Sequence, residues 1–110
     1  MSWIDTAIDA ASQPIEVDVS DLGMGVDIVQ VIPLSANEYS TLKAHPDAAK
    51  LSGQDKDEWM GMRMVFEMLA KCDEELSWGK FRTLPISLLG QLSGRVTASI
   101  NGDGGALGES

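Results

Sequence analysis

Ile15-Glu16-Val17-Asp18-Val19 alternates strictly between apolar and acidic side chains, the pattern of a strand with one dry face. Only one other stretch reads as strand. Val26-Asp27-Ile28-Val29-Gln30-Val31-Ile32 is more apolar and stops at Pro33. Asp21-Leu22-Gly23-Met24-Gly25 supplies turn residues between them, so the two strands form a β-hairpin. An isolated hairpin is marginal in water. This one must lie on helices or pair with another chain. Its free edges make Val26, Ile28, Val29 and Val31 candidates for self-association.

The chain after Pro33 reads as helix. Ser35-Ala36-Asn37-Glu38 has capping-box spacing and opens a helix through about Ala44. Pro46 interrupts it, and Asp47 to Leu51 forms one more turn. Ser52-Gly53-Gln54 is a loop. Asp55 with Glu58 repeats the cap pattern and starts the main helix, roughly 56 to 72. Ser77 caps a short helix, Trp78 to Thr83. The last helix begins near Leu84-Pro85, because proline suits a first helical turn. It runs to about Ser99 and buries Ile86, Leu89, Val96 and Ile100, with Leu88 and Leu92 beside them.

The expected fold is therefore α+β, an N-terminal β-hairpin packed on a bundle of three to four helices. Residues 13–100 form the single domain. Residues 1–12 form an N-terminal arm, in which Trp3, Ile4, Ala7, Ile8 and Ala11 share one helical face and Asp5 and Asp9 face away. Such a segment is too short to be stable alone, so it frays or folds on docking. Residues 101–110 form a flexible glycine-rich tail.

Charge narrows the range of functions. The net charge is −9, and no Lys or Arg precedes Lys43. Phosphate backbones are repelled by such a surface, which argues against nucleic-acid binding. No apolar run approaches the length needed to span a bilayer, and the opening residues do not read as a signal peptide. One cysteine, Cys72, precludes an intrachain disulfide framework and suits a reducing, cytosolic setting.

No catalytic arrangement emerges. There is no Ser–His–Asp order, no Gly-rich phosphate loop and no CxxC. Cys72 and the distant His45 make a poor zinc ligand set, and neither acidic cluster has the order of a calcium loop. No metal, cofactor or enzymatic activity is expected. Cys72 itself reads as a buried thiol at a helix end before a solvated acidic loop. His45-Pro46-Asp47 looks like the tripeptide of J-domain co-chaperones, but the basic helix that precedes it there is reduced to Lys43. Pro46 is read instead as ending one helix and Asp47 as capping the next turn.

The main helix carries four of the six methionines. Met60, Met64 and Met68 form one stripe, and Met62, Phe66 and Leu69 a second, with Trp59 nearby. Together they are wider than one core-facing stripe requires. Two uses are open. Both stripes are core filled by an adaptable residue, or one is a groove for an apolar helix of a partner. The second use takes Trp59, Met60, Met62, Met64, Phe66 and Met68 as partner-binding residues. Gly61 within this helix points to close approach by another element.

Four stretches also carry a resemblance. They are Pro33-Leu34-Ser35-Ala36-Asn37-Glu38-Tyr39, Met68-Leu69-Ala70-Lys71-Cys72-Asp73, Leu76-Ser77-Trp78-Gly79-Lys80-Phe81-Arg82-Thr83-Leu84-Pro85 and Leu88-Leu89-Gly90-Gln91-Leu92. In this order they resemble the tail assembly chaperones of long-tailed bacteriophages, and the preceding hairpin suits that family. The resemblance covers about two thirds of the chain by motif and leaves out Trp59 and the methionine run. It implies a non-enzymatic chaperone in the host cell cytoplasm that binds the tape measure protein and keeps it soluble during tail assembly. Members commonly have a longer frameshifted form, with which the Gly104-Gly105 pair is compatible. The alternative is a structural neck or tail-completion subunit that stays in the virion, with the arm and tail ordered against neighbours.

Overall fold

The computed structural model describes residues 2–101. The expected glycine-rich tail lies outside the described residues from position 102 onward. The order of elements is α1 (Trp3–Ala11), β1 (Ile15–Asp18), a 3-10 turn (Ser20–Leu22), β2 (Ile28–Val31), α2 (Ala36–Lys43), α3 (Pro46–Ala49), α4 (Gly53–Ala70), α5 (Trp78–Phe81) and α6 (Ile86–Ile100). This is the expected α+β architecture, with a hairpin laid on helices.

β1 and β2 pair antiparallel, with Ile15 opposite Val31 and Val17 opposite Val29. The two-residue period of a strand sends Val17, Val19 and Val31 inward, where they are fully buried. Ile28 and Gln30 face outward. β2 is shorter than expected. Gly23 and Gly25 both hold positive φ, so the turn runs longer and Val26 stays outside the strand. Val19 still donates its amide to the Asp27 carbonyl at 2.8 Å.

α4 and α6 cover the inner face of the hairpin. Val65, Phe66, Met68 and Leu69 of α4 join Leu89, Leu92 and Val96 of α6, with Phe81 of α5, in one core. The Ile32 amide donates to the Met68 carbonyl at 3.2 Å and ties the exit of the hairpin to α4. Arg95 of α6 closes the other side. Its guanidinium donates to both carboxylate oxygens of Asp21, at 2.8 and 2.7 Å, and to the Asp18 carbonyl at 3.1 Å. A bidentate pair fixes direction as well as distance.

Local chemistry explains most helix starts. Ser35 and Glu38 form the reciprocal capping box at α2, at 3.1 and 2.8 Å. Ser77 caps α5 by accepting from the Lys80 amide. Two starts differ from expectation. α4 begins at Gly53, three residues early, because Gly53 takes a positive φ of 59° that brings the chain into the helix. The expected Asp55–Glu58 cap is unused, and the Glu58 carboxylate accepts from Gln54 instead. At α3 the cap is His45, whose Nδ1 accepts from the Asp47 amide at 3.0 Å. Pro46 occupies the first helical turn and Asp47 does not cap it.

Three residues assigned to the interior are not buried, and one of them, Ile100, is half-buried at the end of α6. Ile86 is 76% exposed. It sits roughly a quarter-turn off the line of Leu89, Leu92 and Val96, on the side of Gly90 and Gly94. Cys72 is half-buried. α1 forms over the expected residues but buries none of them.

Three carboxyls are held below their usual range. Asp21 is lowered chiefly by the Arg95 guanidinium, Glu38 by the Lys71 ammonium, and Asp18 by hydrogen bonds from Ser20. Each is depressed on folding, so its stabilisation is present above the unfolded values, 3.8 for aspartate and 4.5 for glutamate. It is lost as pH falls through that range and below. Urea midpoints should drop between pH 6 and pH 3, and Asp21→Asn or Glu38→Gln should flatten part of that slope.

Candidate apolar grooves around the methionine helix

α4 is packed on two sides and open between them. α6 and the hairpin take the line of Val65, Met68 and Leu69. α2 and the cap of α3 take the line of Trp59 and Glu67. The methionine stripe runs between these lines. Of its members, Met68 is only 7% exposed and belongs to the core, while Met60 and Met64 are half-buried. Met64 and Met68 form the floor of a groove of about 410 Å³. Pro33, Leu34, Ala36 and Tyr39 line one wall, and Thr97 and Ile100 of α6 the other.

Among the described residues no charged side chain lines this groove. Lysines stand at its rim. Lys43 lies over the Tyr39 ring, its ammonium 5.7 Å from the centroid. Lys71 donates to the Pro33 carbonyl at 3.1 Å and to Glu38 at 2.6 Å, pinning the wall of the groove to the end of α4.

The second expected stripe divides differently. Phe66 is buried, in contact with Trp78 and Phe81 at centroid distances of 5.3 and 5.6 Å. Trp59 meets the His45 ring at 5.3 Å and Trp78 at 6.2 Å. Arg63 lies among these rings, 4.7 Å from the Trp78 centroid and 5.1 Å from Phe66, and pairs with Glu67 at 2.8 Å. Its charge is matched by Glu67 while its planar head contacts π-faces. Met62 and Trp59 border a shallow cleft with Leu51, Trp78 and Arg82. The six partner-binding candidates thus do not form one surface. Phe66 and Met68 are core, Trp59 and Met62 flank an aromatic cluster that joins α3, α4 and α5, and Met60 and Met64 follow the open stripe.

Gly61 has nothing within 4 Å of the place a Cβ would take. The close approach expected there is absent among the described residues. Gly61 lies on the helical line of Val65 and Met68, one turn beyond the end of the core, so the apolar line of α4 continues into open space.

The self-association candidates also separate. Val31 is sealed in the core, because its place in the alternation points it inward. Val29 is half-buried on the same face. Val26 and Ile28 are about half exposed. Val26, Ile28 and Val29 line a second apolar groove, of about 450 Å³, with Met24, Leu69, Leu76, Phe81, Leu84 and Leu92. Asp73 and Cys72 also line it.

The residues that sequence reasoning missed as groove walls are Tyr39, Leu34 and Ile100. Tyr39 offered a signal, an aromatic residue one turn past a helix cap with Lys43 four residues on. Leu34 and Ile100 offered none, since their roles arise from contacts between segments distant along the chain. Among the described residues no group of three or more His, Cys, Asp or Glu side chains is placed to hold a metal ion, and no helix is long and apolar enough to cross a membrane. No protein-family model matches this chain, and no curated protein or solved structure matches it either.

Two substitutions distinguish core from open stripe. Gly61→Ala should stabilise the free domain by about 1 kcal/mol, since the new methyl group meets nothing and the helix gains propensity. Met68→Ala should destabilise it by about 2–5 kcal/mol. Denaturant midpoints measure both.

Proposed function

We propose that this chain is a non-enzymatic assembly chaperone that holds an apolar helix of a partner in the groove along α4. The partner of the proposed role is a phage tape measure protein, kept soluble in the host cell cytoplasm while a tail is built. The observation that carries this reading is the groove over Met64 and Met68, without a charged lining among the described residues, on a protein of net charge −9. A helix laid in a groove presents anchors at i, i+3, i+4 and i+7. Thioethers rotate and polarise, so one groove accepts many anchor shapes and registers. An acidic exterior keeps the loaded complex soluble.

A long helical client has many such registers. Several copies can then line one client, each weakly bound and jointly strong. Release needs only the successive loss of weak contacts as another protein covers the client. The second reading is a neck or tail-completion subunit that remains in the virion. The exposed apolar face of α1 favours it, since such a face would order against neighbours in a particle. Mass spectrometry of finished particles separates the two, because a chaperone is absent from them.

The groove assignment is tested by binding of helical peptides taken from the longest coiled-coil protein encoded nearby. Met64→Gln and Tyr39→Glu should each weaken capture about tenfold or more, equivalent to about 1.4 kcal/mol. The melting temperature should change little, because neither side chain is core. Unchanged capture in both variants would place the site elsewhere.

A further inference from the structure

The outer edge of β2 is a free strand edge beside an apolar groove. In an antiparallel pair, the backbone bonds between strands recur at every second residue. The Val19 amide donates to the Asp27 carbonyl, and the same register sets Val17 against Val29 and Ile15 against Val31. Asp27, Val29 and Val31 therefore direct their backbone groups to β1. Ile28 and Gln30 turn their amides and carbonyls to the other side. Ile32, next in that series, does bond outward, to the Met68 carbonyl at 3.2 Å. Among the described residues no hydrogen bond outside the hairpin ladder reaches the backbone of Ile28 or Gln30.

The groove of about 450 Å³ lies at this edge. Ile28 and Gln30 line it together with Leu69, Leu76, Leu84 and Leu92. Free backbone donors and acceptors beside apolar side chains suit an extended peptide. Its main chain adds a strand, and its alternate side chains enter the groove. A helix cannot use such an edge, because its own backbone groups are bonded within it.

Charge selects the occupant. Asp73 lines the groove, and Glu74 and Glu75 follow it in the chain. Lys71, just before Cys72, is engaged by Glu38 and the Pro33 carbonyl. A second copy offering its own β2 would bring Asp27 and another acidic loop toward these carboxylates, and like charges oppose that pairing. A segment that carries basic residues beside its apolar ones is attracted.

We infer that the β2 edge from Ile28 to Gln30 pairs with a short extended segment of a partner, one that alternates apolar residues and carries basic residues at its ends. The groove over Met64 and Met68 takes no part, so the inference goes beyond the helical-client reading and stands apart from it.

The probe is the peptide acetyl-Arg-Val-Thr-Val-Thr-Val-Arg-amide, added to the full chain. It should bind and slow hydrogen exchange at the Ile28 and Gln30 amides by about tenfold or more. A version with Glu for each Arg, and one N-methylated along its length, should bind about tenfold more weakly or worse. The difference between the basic and acidic peptides should shrink with added salt. Gln30→Pro removes an outward amide and leaves the ladder to β1 intact, since proline is tolerated where a strand N–H faces away from its neighbour. It should abolish binding with little change in melting temperature. Asp73→Lys, at an exposed loop position, should weaken the basic peptide and strengthen the acidic one. Met64→Gln should leave binding unchanged, which separates this edge from the helical groove. No binding of the basic peptide, equal binding of the N-methylated form, retained binding in a folded Gln30→Pro variant or an unaltered charge preference in Asp73→Lys would each overturn the inference. Protection of the same amides on concentrating the wild type alone would give the edge to a second copy and overturn it too.

Discussion

A two-stranded sheet has one dry face and no neighbouring strand to share it. That constraint organises this protein. Val17, Val19 and Val31 are fully buried, and each contributes about 1.5–3 kcal/mol only if something apolar lies over it. α4 and α6 are what lies over it. The hairpin in turn fixes how those helices sit, through the amide of Ile32 on the carbonyl of Met68 and the clasp of Arg95 on Asp21. Once α4 is held by the hairpin on one side and by α2 and α3 on another, the line between them is left over. Met60 and Met64 occupy that line. The groove is a geometric consequence of covering a small sheet with helices that do not wrap around α4.

Methionine suits such a boundary for physical reasons. Val65, Phe66 and Leu69 have stiff or bulky side chains and sit where the surroundings are complete. A branched side chain at position 64 would present one fixed shape to a half-open site. An unbranched thioether can lie flat against Leu34 and Ile100 or extend toward an incoming side chain. Arg63, next in the chain, shows the opposite case. Its guanidinium is held among Trp59, Phe66 and Trp78 and by Glu67, so its position serves the aromatic cluster rather than the groove.

Features set by a few neighbouring residues were legible in the sequence. The alternation from Ile15 to Val19, the capping box at Ser35 and the Ser77 cap all depend on chemistry within four residues, and all formed where expected. The division of the methionine helix was not legible. Periodicity identifies stripes, but the stripe that is core depends on which elements pack on it. Phe66 and Met68 went inside because α5, α6 and the hairpin converge there. Trp59 was taken up by His45 and Trp78, partners more than ten residues away on either side. Gly61 illustrates the same limit. Glycine in a helix implies close approach or mere tolerance, and only the arrangement of neighbours separates them.

The exposed face of α1 and the open stripe of α4 are problems of the same kind. Each leaves apolar surface in water, and water penalises both at about 25 cal/mol per Å². An apolar helix laid on the open stripe relieves the second of them, and one groove of this size relieves it only modestly. That modesty suits the proposed role, because a long client on which several grooves act together is held firmly while each single contact stays weak enough to be displaced. The net charge of −9 works in the same direction, because like-charged copies repel and stay apart along the client.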